Sequence, residues 1–261
     1  MSVTIAIIGS QGRMGAMLCE AWRARHSVRC VDRAAPAHST LGLTTPGALD
    51  AAAVTAAVRE ADAVFLCVPA PVMAEVLDIV TPAMHEGQIL ADVCSVKMLP
   101  MQHMEERFAG PVVGTHPLFG PDNERTGAKV AVVPGVNASS AHLERITNLF
   151  AELGATCFTT TAEKHDKAVA VSQSLHFAVS AAYFAAAAAH EGLDPYLTPS
   201  FNRYREAAQK VLTVNAPMFC AFSEANPQLP DALETVRALL EEAKNGSLPE
   251  IAAKAASWYA E

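Results

Sequence analysis

Val3-Thr4-Ile5-Ala6-Ile7-Ile8-Gly9-Ser10-Gln11-Gly12-Arg13-Met14-Gly15 is the stretch on which the fold turns. An apolar run ends in a glycine triplet, and a helix-forming segment follows at once. Glycine lets such a turn take positive φ and lets backbone approach a pyrophosphate, while the helix N-terminus adds N–H donors and a partial positive charge. A glycine triplet alone is a weak signal, but strand, loop and helix in this order give it the right context. The next apolar run, Val28–Val31, ends at Asp32. A carboxylate there accepts hydrogen bonds from both hydroxyls of an adenosine ribose and repels a 2′-phosphate, which favours NAD over NADP. Arg33 beside it tempers that reading, since a guanidinium can hold a phosphate. Gly9, Gln11, Gly12, Met14, Gly15, Asp32, Arg33 and Val68, at the end of the third apolar run, are the candidate cofactor contacts. The bland alternative is a glycine-rich turn with no ligand.

Outward from this stretch the alternation continues. Strands are predicted at Val3–Ile8, Val28–Val31, Ala63–Val68, Gln88–Asp92, Val112–Thr115, Lys129–Val133 and Ala155–Thr160. They are near-continuous apolar runs, as strands buried on both faces should be. Helices are predicted at Arg13–Arg25, Gly47–Glu60, Pro71–Met84, Met98–Phe108 and Ser139–Leu153. This is the pattern of an α/β, Rossmann-like, doubly wound parallel sheet over residues 1–161. After Thr161 the strand signal stops. Ala162–Glu191 reads as one long helix, apolar on several faces and expected to be buried nearly all round. Helices follow at Pro195–Leu212, Pro217–Glu224, Pro230–Asn245 and Ser247–Tyr259, the last with a capping-box start at Ser247-Leu248-Pro249-Glu250. Residues 162–261 are therefore expected to be an all-helical domain, and its apolar central helix points to a partner, a second copy, that covers it.

Composition narrows the classes. The 261 residues are 51% hydrophobic and 18% charged, enough apolar mass for a large core and too much for a disordered chain. Nineteen basic against 27 acidic residues give a net charge of −8, which disfavours nucleic acid as a partner. No uninterrupted apolar run of membrane-spanning length and no signal peptide are read from the sequence, so a cytoplasmic protein is expected, with no membrane partner. The six cysteines carry no C-x-x-C spacing and read as reduced core thiols, and no metal-ligand motif is present.

Three segments hold polar residues where a buried sheet would not want them. Asp92-Val93-Cys94-Ser95-Val96-Lys97 and Gly114-Thr115-His116-Pro117-Leu118-Phe119-Gly120-Pro121-Asp122 lie at the carboxyl ends of successive strands, where open α/β sheets bind ligands. His116, with Ser95 able to bond its ring, suits removal of a hydroxyl proton near neutral pH, and Lys97 adds a cation. The third segment sets Asp166, Gln173 and His176 on the long helix, with Gln173 and His176 on one face. By itself His176 is equally readable as a core histidine, and Ser95 as a plain loop serine.

In these motifs the sequence resembles the prephenate dehydrogenases and their arogenate-using relatives. The resemblance covers nearly the whole chain and rests on Gly9–Gly15, Val31-Asp32-Arg33, Asp92–Lys97, Gly114–Asp122, His165-Asp166 and Gln173–Phe177, in the right order. Gly-Thr-His-Pro-Leu-Phe-Gly-Pro is the most specific string and the glycine loop the least. The resemblance implies a two-domain protomer, a homodimer built through the helical domain, an active site between the domains and NAD as cofactor. It makes His116 the catalytic histidine, Ser95 the serine that orients substrate and histidine, and His176 a substrate contact, with Lys97 and Gln173 nearby. The implied reaction is oxidative decarboxylation of a dicarboxylate: hydride passes to NAD+, His116 takes the hydroxyl proton, and carbon dioxide departs as the ring aromatises. One position departs from the pattern. Where the family usually has an arginine that pairs with a substrate carboxylate, this chain has Val211, with Lys210 beside it. Arg203 matches a second arginine of the family, so the cations for the substrate are ranked Arg203, Lys210, then Arg205. A solvated helix face is the plain alternative for each.

Rival readings are distinguishable. Dihydrodipicolinate reductases share Gly-Arg-Met-Gly, but their histidine pair and following lysine are absent here. β-Hydroxyacid dehydrogenases need a lysine with asparagine one turn on, and Lys164 and Lys167 are followed by Lys167 and Val171. A non-catalytic dinucleotide-sensing regulator is opposed by intact Ser95 and His116. A 4-amino-4-deoxyprephenate dehydrogenase, feeding 4-aminophenylalanine units into antibiotics, would share every motif quoted. No room is read before Val3 for a chorismate mutase domain or after Tyr259 for a regulatory one.

Overall fold

The computed structural model describes residues 2–33 and 49–260. They form two compact units, Met1–Asp166 and Lys167–Glu261. Gly47 and Ala48 of the helix expected at 47–60 lie outside the described residues.

The first unit is a seven-stranded sheet: β1 (Thr4–Ile8), β2 (Ser27–Val31), β3 (Ala63–Leu66), β4 (Ile89–Asp92), β5 (Val112–Pro117), β6 (Lys129–Pro134) and β7 (Thr156–Thr159), in the order β2-β1-β3-β4-β5-β6-β7. Helices α1 (Arg13–Trp22), α2 (Ala51–Val58), α3 (Met73–Val80), α4 (Met98–Arg107) and α5 (Ser140–Ala151) lie between the strands in sequence. All seven strands and these five helices were legible as existing elements, with ends that differ by a few residues. The predicted helix at 71–84 is divided, a 3₁₀ turn standing at each end of α3.

Two expectations about the sheet need correction. β6 runs antiparallel to β5. A parallel neighbour needs a long crossover, usually a helix, and residues 118–128 contain none. β7 was expected to be buried on both faces; it is an edge strand, paired only with β6, and Phe158 is exposed. The core sits under α1 and α5, where Trp22, Phe65 and Phe150 meet with ring centroids 4.9 to 6.2 Å apart. Trp22 donates its indole N–H to the Leu149 carbonyl at 3.0 Å, so its one polar atom is satisfied inside the core.

The second unit is helical: the end of α6 (Ala162–Val169), a wide π turn (Ala170–Leu175), α7 (His176–Ala188), α8 (Pro199–Leu212), α9 (Ala216–Glu224), α10 (Leu229–Glu242) and α11 (Leu248–Ala256). Thr198 caps α8 by accepting the Phe201 N–H at 3.2 Å. Tyr183 and Phe184 of α7 stack with Phe201 and Tyr204 of α8. The capping box expected at Ser247 does not form: Ser247 makes no side-chain cap bond, and Gly246 takes φ 99° at a kink between α10 and α11.

The long helix also differs from its reading. It is not buried all round, since Val171, Val179 and Tyr183 are exposed and only Phe177 and Ser180 of α7 are buried. Over Ala162–Ala188 it is long and apolar enough, by length and composition alone, to cross a membrane, which corrects the expectation that no such stretch exists. Ser172, Gln173 and Ser174 place polar side chains in its middle.

Candidate active site

At the end of β1 the chain turns through Gly9, at φ 87°. A Cβ on Gly9 would stand 2.5 Å from the Cys67 carbonyl oxygen, and one on Gly15 would stand 2.2 Å from that of Gly9. Only glycine lets the loop press on β3 and α1 press on the loop. Gly12 is the N-cap of α1 and makes no side-chain cap hydrogen bond. The Asp32 carboxylate, just past β2, accepts the Gln11 N–H at 2.8 Å and ties the loop to the neighbouring strand end. The Ser10 hydroxyl is buried and meets no partner among the described residues, the kind of group that a bound ligand satisfies. Gln11, Met14 and Val68 are half-buried around the loop, and Arg33 is exposed. The glycine turn, the helix end without a side-chain cap, the unmet Ser10 hydroxyl and the acidic residue fit a dinucleotide.

The ends of β4 and β5 are joined by one carboxylate. Asp92, fully buried, accepts the Cys94 N–H at 2.8 Å and the Thr115 N–H at 3.2 Å, and it pairs with the Lys97 ammonium. Lys97 also donates to the Thr115 carbonyl at 2.7 Å. Both Lys97 and Asp92 are fully enclosed, and a buried charge persists only when paired in this way. Lys97 was expected to contact substrate; its ammonium instead turns inward and locks the two strand ends together. Burial, and then the Asp92 charge, push the Cys94 thiol well above its ordinary range.

His116 projects beside this lock and is 4% exposed. Its Nδ1 lies 2.9 Å from Nε2 of His165, and Nδ1 of His165 lies 2.7 Å from Oδ1 of Asp166. Asp166 in turn accepts the Lys97 N–H at 2.6 Å and the Met98 N–H at 2.8 Å, the first donors of α4. The His116 pKa falls well below the ordinary 6.5, chiefly through burial, then through His165 and Lys97. A neutral ring at this position is a base without being a cation. Ser95 is half-buried in the loop after β4, and the partner on Nδ1 of His116 is His165, not Ser95 as expected. The loop after β5 is also bridged to the glycine loop: Arg13 meets Asp122 at 2.5 Å, an exposed pair that adds little stability.

The other expected substrate residues lie in the second unit. Gln173 is half-buried in the π turn and His176 is exposed at the start of α7, so the regular helical face on which they were to be neighbours is widened between them. A single π turn inside an α-helix often marks a functional site. On α8, Arg203 is exposed and donates to the Ser200 hydroxyl at 3.0 Å, Arg205 and Lys210 are exposed, and Val211 is half-buried.

The family described as prephenate dehydrogenase, nucleotide-binding domain, matches residues 18–159, more than half of the chain. The chain belongs to the prephenate dehydrogenase family. The match starts inside α1, so the reading of the glycine loop itself stands on its geometry. Within this dehydrogenase family, a probable arogenate/prephenate dehydrogenase of Methanocaldococcus jannaschii is 31% identical over 127 residues, 47% of this chain and 28% of the relative. The 4-amino-4-deoxyprephenate dehydrogenase of Streptomyces pristinaespiralis is 31% identical over 194 residues, 67% of this chain and 60% of the relative. The chain thus spans less than two thirds of the length of the curated relatives it matches. Prephenate dehydrogenase from A. aeolicus, solved with hydroxyphenyl propionate and NAD+, is 20% identical and superposes with a TM-score of 0.77, covering 99% of this chain and 95% of that one. That likeness shows a common fold.

The sequence named His165-Asp166 as part of the resemblance and gave neither residue a role. No spacing along the chain links residue 165 to residue 116. The available signal was chemical: a His-Asp pair entering a helix, with no apolar reason to be there.

Proposed function

We propose that this chain is an NAD-dependent dehydrogenase that converts prephenate to 4-hydroxyphenylpyruvate with loss of carbon dioxide. The observation that carries the reading is His116: a buried histidine held neutral at the carboxyl end of β5, in the same sheet whose β1 end bears the glycine loop. NAD, when bound, accepts the hydride. Gly9, Gly12 and Gly15 provide the bare backbone for its pyrophosphate, and Asp32 is the carboxylate that prefers a free 2′-hydroxyl. His116 takes the hydroxyl proton as the substrate carbon is oxidised. Departing carbon dioxide leaves its bonding electron pair in the ring, and the proton returns to oxygen as the phenol forms. Ser95 orients substrate and histidine, while Gln173, His176 and the α8 cations Arg203 and Lys210 receive the carboxylates. A second copy covers the exposed apolar face of α7, which makes the working form a cytoplasmic homodimer rather than a membrane protein.

One observation favours a second reading. Val211 stands where a carboxylate-binding arginine is usual, and a relative at 31% identity is named for the 4-amino substrate. Prephenate stays first because of the motif match from the glycine loop through Gly114–Asp122 to Gln173–Phe177. Initial rates with prephenate, arogenate and 4-amino-4-deoxyprephenate, each with NAD+ and NADP+, decide the matter. The expected result is kcat/KM of about 10⁴ M⁻¹s⁻¹ or more with prephenate, and at least ~10-fold preference for NAD+ over NADP+, about 1.4 kcal/mol. If only the amino analogue reaches that range, the second reading replaces the first.

A further inference from the structure

We propose that His165 and Asp166 form a positioning relay that fixes the tautomer of His116 and leaves its Nε2 as the bare, basic atom. The bond directions follow from one fixed end. The Asp166 carboxylate accepts two backbone N–H groups at the start of α4, at 2.6 and 2.8 Å, and is therefore held as an acceptor. At 2.7 Å from it, Nδ1 of His165 must donate. A neutral His165 that keeps its proton on Nδ1 has a bare Nε2, and this atom accepts from Nδ1–H of His116 at 2.9 Å. His116 then carries its proton on Nδ1, and Nε2 has a free lone pair. Nε2 has no hydrogen-bond partner among the described residues, so it is the ring atom left for a substrate. The two rings stand at 70° with centroids 5.1 Å apart, so the bond and the ring packing act together.

The arrangement also says what undoes it. A proton added to His165 would make its Nε2 a donor, turn Nδ1 of His116 into the acceptor and drive the His116 proton onto Nε2. The base would then be blocked without His116 itself becoming charged. The Lys97 ammonium, itself paired with Asp92, also opposes positive charge on the His116 ring. In other enzymes a carboxylate that sets the tautomer of a catalytic histidine is worth up to about 10⁴-fold in kcat.

The role of Nε2 as a base rests on the dehydrogenase reading above, whereas the tautomer does not. The test therefore has two arms on the full-length chain. In the first, nitrogen NMR of the resting, ring-labelled protein reports which His116 nitrogen carries the proton. We expect Nδ1–H in the wild type, loss of that single form in His165→Phe, and its return in His165→Gln, whose side-chain oxygen can accept the same bond. In the second, prephenate turnover by His165→Phe should show kcat lower by about 10²-fold, with KM changed by no more than about threefold and most of the rate restored in His165→Gln. A wild-type His116 protonated on Nε2 overturns the relay, even if His165→Phe does not fold. So does His165→Phe with an unchanged His116 tautomer and unchanged kcat. A wild type that shows the relay by NMR but oxidises none of the three substrates overturns the dehydrogenase reading and leaves the relay standing.

Discussion

The sheet unit and the helical unit differ in how they hold buried charge, although each keeps unmet buried polar atoms, Ser10 in the first and Ser174 and Ser223 in the second. In the first, the buried carboxylates and cation are all matched: Asp92 with Lys97 and two backbone N–H groups, Asp166 with His165 and the start of α4. In the second, the hydroxyls of Ser174 and Ser223 are buried without a partner among the described residues, while α10 and α11 bury no residue and Leu240, Leu248 and Trp258 stand exposed. A matched polar network specifies one arrangement of its own chain. The sheet unit holds the matched charge network, and the helical unit, with large apolar side chains outside, is the one for which we expect a covering partner.

The largest effect should come from breaking the chemistry of the sheet unit. His116→Asn is expected to lower kcat by ~10²–10⁴-fold with a much smaller change in KM, as for the loss of an acid–base group used in the transition state. Circular dichroism must show the variant folded. Turnover retained in a folded variant would remove His116 from the mechanism.

Next in size is a contrast between two lysines that the sequence offered for the same task. Lys97 and Lys210 were both expected to contact substrate. Lys97 is fully enclosed against Asp92, and Lys210 is exposed on α8. Lys97→Met leaves a buried carboxylate unpaired and should cost about 3–5 kcal/mol of stability. Lys210→Met should change stability by less than about 0.5 kcal/mol and act, if it acts, on substrate KM. Urea unfolding of both variants checks this, and equal destabilisation would show that the burial contrast has no energetic meaning.

These lysines also show what the sequence could and could not disclose. Strand and helix periodicity located every element of the sheet, because parallel strands buried on both faces are unbroken apolar runs. The glycine loop and Asp32 were readable because their order along the chain is their order in space. The His116 network was not, because Asp92, Lys97, His116 and Asp166 come together only when β4, β5 and α6 are folded. A lysine in sequence is a cation of unspecified direction, and which carboxylate it faces is a tertiary fact. The reversal at β6 was hidden for a similar reason, since strand direction depends on what fills residues 118–128 rather than on the strand's own residues.

For the helical unit, the comparison predicts association. Light scattering at micromolar concentration should give twice the 27.5 kDa protomer mass. Its thermal midpoint should then rise with protein concentration, each tenfold increase adding about 1.4 kcal/mol per dimer. A monomeric mass with a concentration-independent midpoint would contradict it.

The smallest effect is a pH dependence that belongs to the sheet unit. His116 is held neutral in the fold because burial, His165 and Lys97 all oppose its charge, which puts its pKa well below 6.5. In the unfolded chain that opposition is gone and the ring takes up its proton near the ordinary value. Between the depressed pKa and 6.5 the unfolded chain therefore binds more protons than the folded one. Stability must rise with pH through that window and be lost progressively as pH falls through it, with no further loss from this group below it. One group can contribute a slope of at most about 1.4 kcal/mol per pH unit. Urea unfolding at pH values of about 7.5, 6.5 and 5.5 should show this loss in the wild type and a smaller one in His116→Gln, which has nothing to protonate. His176→Gln, an exposed change in the other unit, is the control and should leave the wild-type slope in place. If His116→Gln and the wild type lose stability in parallel, the acid sensitivity comes from elsewhere, and the neutral His116 on which the sheet unit's chemistry depends loses its thermodynamic support.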